Sequence, residues 1–272
     1  MRPDGVSVRL LGPLEVERRG VPLPLGGRAQ RALLARLLLD ANRTVAIDRL
    51  LEDLWGEHAP ASAVKMVHVY VSKLRKLLPD GMLVTRAPGY SLEIDPEALD
   101  LVRFERMRKE GRPREALALW RGPALAEFDE PFALVESARL EELHLAALED
   151  RIDADLAAGR HAGLVGELEA LVARNPLRER LRTQLMLARY RSGRQAEALA
   201  GYRELRELLA TELGIEPSAA LRDLERQVLQ QDPTLDLAPA ERPVRRAVVH
   251  RCVRPAVGRA SRRRGCALSI AA

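Results

Sequence analysis

Cysteine, lysine, histidine and aromatic residues are all scarce in this 272-residue chain. Only Cys252 and Cys266 occur, near the C-terminal end, and their spacing matches no metal-ligand or redox pattern. Five histidines (His58, His68, His144, His161, His250) are scattered without ligand spacing, so no metal, cofactor or catalytic residue is expected. The chain contains no G-x-x-x-x-G-K-[ST] nucleotide loop. Acid pairs such as Glu141-Glu142 and Glu149-Asp150 lie among arginines on helical stretches and read as solvated faces. No apolar run approaches the ~18 residues that span a bilayer, and the opening MRPDGVSVRLLG lacks the apolar core of a signal peptide. The expectation is a cytoplasmic chain without a membrane partner. With aromatics at 3 % and hydrophobic residues at 47 %, the core must be aliphatic, built from Leu, Ala and Val.

The few lysines are not spread evenly. Of Lys65, Lys73, Lys76 and Lys109, three fall within Ala61 to Leu78, ASAVKMVHVYVSKLRKLL, a stretch with no acidic residue. At 100° per residue Val64, Val67, Val71, Leu74 and Leu78 share one face, the expected buried side of an amphipathic helix. The opposite face carries Lys65, Met66, Val69, Ser72, Lys73 and Lys76, with His68 and Arg75 at its shoulder. A helix made only for solubility intersperses Glu with Lys at i,i+4, and this one does not. Val69 amid the positive face gains by meeting an apolar group such as a thymine methyl. Met82 to Ile94 follows at once, alternating apolar and polar residues around Ala87-Pro88-Gly89, and reads as a β-hairpin carrying Arg86. A basic helix followed by a hairpin is the order of a winged helix, in which the helix enters a major groove and the wing reaches the neighbouring minor groove.

Before that helix, Val6 to Leu25 alternates in short runs broken by Gly12-Pro13 and Arg19-Gly20, as a small antiparallel sheet does. Arg28 to Leu39 and Ile47 to Trp55 have helical spacing, the second preceded by Ala46, a poor N-cap, with Asp48 in its first turn. After Asp95-Pro96 the pattern reads as wholly helical to about Gln231. There Gly159-Arg160-His161-Ala162 recurs as Gly193-Arg194-Gln195-Ala196, an offset of 34 residues and the tetratricopeptide period. Arg112 to Arg121 matches Arg194 to Arg203 in type and suggests a third, shortened unit.

These residues carry a resemblance. Leu54-Trp55-Gly56, the run Val67 to Arg75 and Gly89-Tyr90 resemble the OmpR-type winged-helix DNA-binding domain. Ala118 to Pro123, Arg139 to Leu143, Asn175 to Leu181 and Leu213 to Pro217 resemble the bacterial transcriptional activation domain. Their succession is similar to the Streptomyces antibiotic regulatory protein (SARP) family over roughly residues 5 to 237. The implied fold is an α+β N-terminal winged helix-turn-helix (residues 1–96) followed by an all-α tetratricopeptide-like helical domain (residues 97–232). By that resemblance Val69, Tyr70, Ser72, Lys73 and Arg75 match recognition-helix positions that meet bases or phosphates, and Arg86 matches the wing's minor-groove arginine. The helical projection adds Lys65 and Lys76 and sets Tyr70 nearer the core. The family further implies double-stranded DNA with promoter direct repeats, RNA polymerase holoenzyme and head-to-tail protomers as partners, and genes of antibiotic biosynthesis as targets.

Charge divides along the same lines. Residues 1–95 hold 14 Lys+Arg against 11 Asp+Glu, residues 96–232 hold 21 against 26, and residues 233–272 hold 9 against 2. The last segment, rich in Pro, Arg, Val and Ala, reads as a basic, disordered tail. Two functions remain open: a sequence-specific transcriptional activator, or a helical-repeat interaction scaffold whose basic helix is only a surface.

Overall fold

The computed structural model describes residues 5–236. Three short strands open it, β1 (Val6–Arg9), β2 (Glu15–Arg18) and β3 (Val21–Pro22), paired antiparallel in chain order with Val8 opposite Val16. The period-2 alternation turns Val6, Val8 and Val16 into the core, as read from the sequence. Helix α1 (Arg28–Leu39) and helix α2 (Ile47–Trp55) have the expected bounds. Between them lies an unforeseen strand, β4 (Thr44–Ala46), which three residues are too few to announce by alternation. The basic helix α3 spans Ala63–Leu77, and the hairpin is β5 (Leu83–Arg86) and β6 (Gly89–Leu92). These strands form a second sheet in the order β4-β6-β5.

The central strand explains two oddities of sequence. A Cβ on Gly89 would lie 1.9 Å from the Val45 carbonyl oxygen, so only glycine lets β6 close on β4. The N-terminus of α2, unserved by Ala46, has its Ile47 N–H taken up by the Pro88 carbonyl of the wing turn at 3.2 Å. The wing thus caps a core helix.

The second half contains α4 (Asp100–Lys109), α5 (Pro113–Leu117), α6 (Pro131–Ala157), α7 (His161–Arg174), α8 (Glu179–Arg191), α9 (Gln195–Leu213) and α10 (Ala219–Gln230). The 34-residue offset is structural: Gly159 and Gly193, at φ 78° and 75°, turn α6 into α7 and α8 into α9. Gly111, at φ 71°, turns α4 into the five-residue α5, and Arg112 pairs with Glu115 as Arg194 pairs with Glu197. The third unit is therefore real and short. Residues 118–130 are not helical, which corrects the reading of an uninterrupted helical half. Gly122 and Leu125 hold positive φ there, and the segment folds back on the N-terminal sheet.

That return joins the halves. Leu99 bridges Val8 in parallel, and the buried Asp100 carboxylate accepts the Leu10 and Leu11 N–H groups at 2.8 and 3.1 Å. Glu127 accepts the Leu14 N–H at 2.7 Å and the Arg31 Nε at 2.7 Å, and Arg121 donates its backbone N–H to the Leu11 carbonyl. One apolar core runs from Val6 through Leu74 and Phe104 to Ala147, across the position at which composition shifts. Helix α6 serves two cores in succession. Phe132, Ala133, Leu140 and Ala147 belong to that first core, whereas Ile152 and Leu156 pack on α7 and α8.

Charge is also buried within the helical half. Glu149, read from sequence as solvated, is 1 % exposed and accepts Arg178 through Nε and Nη2 at 2.9 and 3.0 Å. Asp155 accepts Arg114 of α5, Arg151 of α6 and Arg160 of the α6–α7 turn. Burial raises the Asp155 carboxyl, but the three guanidinium groups prevail and hold it at about 2. Of the segment read as a tail, Pro233–Leu235 form a 3-10 turn with Leu235 buried and its carbonyl accepting Arg191 Nε at 2.7 Å. The remainder, residues 237–272, lies outside the described residues.

Two outcomes follow from these buried carboxylates. Asp100→Ala strands two buried N–H donors, so urea unfolding of the chain should show a loss of about 2 to 4 kcal/mol. Asp155 has a folded value below its ordinary 3.8, so its stabilisation is present above that value and lost as pH falls toward about 2. Asp155→Asn should therefore be less stable than wild type at neutral pH, and the gap should close between about pH 4 and pH 2.

Candidate nucleic-acid interface

Helix α3 is held from within. Val67, Val71 and Leu74 are buried against the core, and Leu78 closes it just past the helix end. Val64, expected on that inner face, is 41 % exposed instead. In the first turn Ala63 and Val67 take the buried positions, which leaves Val64 at the edge of that face.

The outward face holds most of the expected residues together. Lys65, Val69, Ser72, Lys73 and Lys76 are all exposed, Val69 by 49 %. Their spacing of four, three or four, and three gives one stripe along a helix of about 22 Å. Among the described residues none of the three lysines is ion-paired. The last turn of the helix also favours cations through its dipole, where Lys76 and Arg75 lie. Tyr70 is half-buried and packs on the core, as the helical projection placed it.

Two expected arginines are engaged within the protein. Arg75 reaches β5, donating Nε to the Leu83 carbonyl at 2.9 Å and Nη2 to Thr85 Oγ1 at 2.7 Å. Its guanidinium carbon also stands 5.9 Å from the centre of the Tyr90 ring. Arg86, beside the two-residue Ala87-Pro88 tip, is 59 % exposed and pairs with Glu93 at 3.3 Å. Glu93 is in turn fixed by the Ser91 hydroxyl, which donates to Oε1 at 2.8 Å. The alternation of the hairpin accounts for the division: Thr85 and Tyr90 face α3, whereas Arg86, Ser91 and Glu93 face away. Sequence reading missed Thr85, Tyr90 and Glu93. Their signal was present in the hairpin register, in which Thr85 lies opposite Tyr90, but the partner on α3 could not be read from periodicity.

His68 meets the Tyr90 ring edge-on at 6.4 Å between centroids, in keeping with a packing role. Among the described residues no group of three or more His, Cys, Asp or Glu side chains is placed to hold a metal ion. No described helix is long and apolar enough to cross a membrane.

The geometry is a winged helix with a lysine-lined helix face beside a short wing, joined to stacked helix hairpins. Comparison with known proteins matches two family models. Residues 23–92 match the family described as transcriptional regulatory protein, C terminal, and residues 99–229 match the bacterial transcriptional activator domain. The chain is 46 % identical over 241 residues to regulatory protein AfsR of Streptomyces coelicolor, covering 83 % of this chain but 24 % of that protein. The chain thus spans about a quarter of the AfsR proteins it matches, which are 24 % and 26 % covered. Regulatory protein DnrI of Streptomyces peucetius is 37 % identical over 257 residues, covering 85 % of this chain and 94 % of DnrI. Among solved structures, Mycobacterium tuberculosis EmbR in complex with a low affinity phosphopeptide superposes with a TM-score of 0.76 at 37 % identity, over 85 % of this chain and 66 % of that one. The relatives are transcriptional regulatory proteins, and with its winged helix, activator domain and near-full-length match to DnrI this chain belongs to the Streptomyces antibiotic regulatory protein family of transcriptional activators.

Proposed function

We propose that the chain activates transcription by binding a defined promoter sequence through α3 and the wing. The observation that carries the reading is the stripe Lys65, Val69, Ser72, Lys73 and Lys76, exposed, cationic and backed by the buried Val67, Val71 and Leu74. A major groove about 12 Å wide admits such a helix, with Lys73 at a guanine edge, Val69 at a thymine methyl, and Lys65 and Lys76 on phosphates. Arg86 at the wing tip meets the negative potential of the adjacent minor groove. Tyr70 supports α3 from its flank. In this reading residues 1–96 choose the site and residues 97–232 contact RNA polymerase holoenzyme. Direct repeats at the promoter seat protomers head to tail, and the regulated genes serve antibiotic biosynthesis. The support for those last assignments is family membership and the similarity to DnrI and AfsR.

The interaction-scaffold reading has no observation of its own in its favour, since a scaffold surface has no need of a carboxylate-free lysine stripe. Titration on the duplex selected from a random pool, and on a scrambled duplex, at several salt concentrations separates the two. Lys76→Ala should weaken binding to both duplexes and reduce the salt slope by about one. Lys73→Ala should cost roughly 1 to 3 kcal/mol on the selected duplex and relax preference at one base pair. Unchanged binding by both folded variants would remove α3 as the reading element.

Glu93 gives a further expectation. Because it competes with phosphate for Arg86 as an exposed ion pair, Glu93→Gln should tighten binding to both duplexes by about twofold, read in the same titrations.

A further inference from the structure

Arg75 lies on α3 among residues that face outward, and its charge alone would suggest a DNA contact. Its geometry says otherwise. Two of its three nitrogens are committed to one strand of the wing, Nε to the Leu83 carbonyl at 2.9 Å and Nη2 to Thr85 Oγ1 at 2.7 Å. The guanidinium carbon stands 5.9 Å from the centre of the Tyr90 ring, and Tyr90 belongs to the other strand of the same hairpin. One side chain on the helix therefore grips both strands of the wing. Tyr90 also meets His68 two turns earlier on α3, so the helix touches the hairpin twice along its length.

We infer that Arg75 is a positioning residue that locks the wing to the recognition helix and so sets the distance between the major-groove and minor-groove contacts. The inference rests on the winged-helix reading above and deepens it. The last turn of the helix carries Lys76 and the tip end of β5 carries Arg86, and Arg75 joins the helix to that strand. Strand β6 is already fixed by β4 and by the Pro88 carbonyl, so what Arg75 holds is the edge strand β5, which carries Arg86. A duplex presents its grooves at fixed spacing, so play in that strand costs ordering entropy each time it binds. The grip requires the planar fork of arginine. A lysine keeps the charge but lacks the fixed fork that reaches Leu83 and Thr85 together.

Chemical protection reads the two grooves separately, because methylation at guanine N7 reports the major groove and at adenine N3 the minor groove. The probe is the duplex that the wild-type full chain selects from a random pool. Arg75→Lys should bind it about tenfold more weakly, lose adenine N3 protection at the wing end and keep guanine N7 protection along α3. Thr85→Val, which leaves every charge in place, should show the same selective loss to a smaller degree. The double variant should be no weaker than Arg75→Lys alone, since both changes break one contact. A simple loss of folding would erase both protections together.

The inference is overturned if Arg75→Lys binds as wild type while Arg75→Ala weakens all duplexes alike and lowers the salt slope by about one; Arg75 would then be a phosphate contact. Silence of Thr85→Val in every readout also overturns it. If the wild-type chain protects no duplex at all, the DNA-binding reading fails, and the grip is judged on the free full chain by amide exchange. Faster exchange across residues 83–92 in Arg75→Lys and Thr85→Val supports it, and unchanged rates overturn it.

Discussion

The interface depends on how the inner face of α3 is used. Val67, Val71 and Leu74 are wholly committed to an aliphatic core shared with α1 and α2, which leaves the helix no freedom to roll. Burying three such side chains contributes several kcal/mol, about 1.5 to 3 for each, whereas reorienting lysines on the other face costs little. The outward stripe is therefore a fixed surface.

Around that constraint the rest of the chain acts as a frame. The wing is closed by Gly89 against Val45 and caps α2 through Pro88, so the element that touches DNA in the proposed reading is also part of the core. The N-terminal sheet is tied to α4 by Asp100 and to the 118–130 segment by Glu127 and Arg121. Through α6 the same core passes into the stacked hairpins. The N-terminal half and the helical repeats are thus joined by packed contacts through α4, residues 118–130 and α6.

Much of this was legible from residue patterns because it depends on local periodicity. The alternation in Val6 to Arg18, the spacing in α1 and α2, the hairpin around Ala87-Pro88 and the 34-residue recurrence of the Gly159 and Gly193 turns are all short-range properties. Contacts distant in sequence were not legible. Strand β4 exists because β6 lies beside it, Glu149 is buried because Arg178 arrives from 29 residues away, and the first turn of α3 buries Ala63 and Val67 while leaving Val64 exposed. Arg75 is the clearest case. Helical projection set it at the shoulder of the basic face, and nothing in its own segment reveals that Leu83 and Thr85 are its partners.

The most direct measurement is the distribution of the protein along the DNA of its own cell, mapped by cross-linking for the wild-type chain and for a folded variant in which Lys65, Lys73 and Lys76 are all alanine. A wild-type chain that reads sequence through α3 should concentrate at discrete promoters sharing a repeated motif, and the variant should lose those positions. Wild-type occupancy without a shared motif, or occupancy that the variant reproduces, would contradict the assignment of α3 as the reading element.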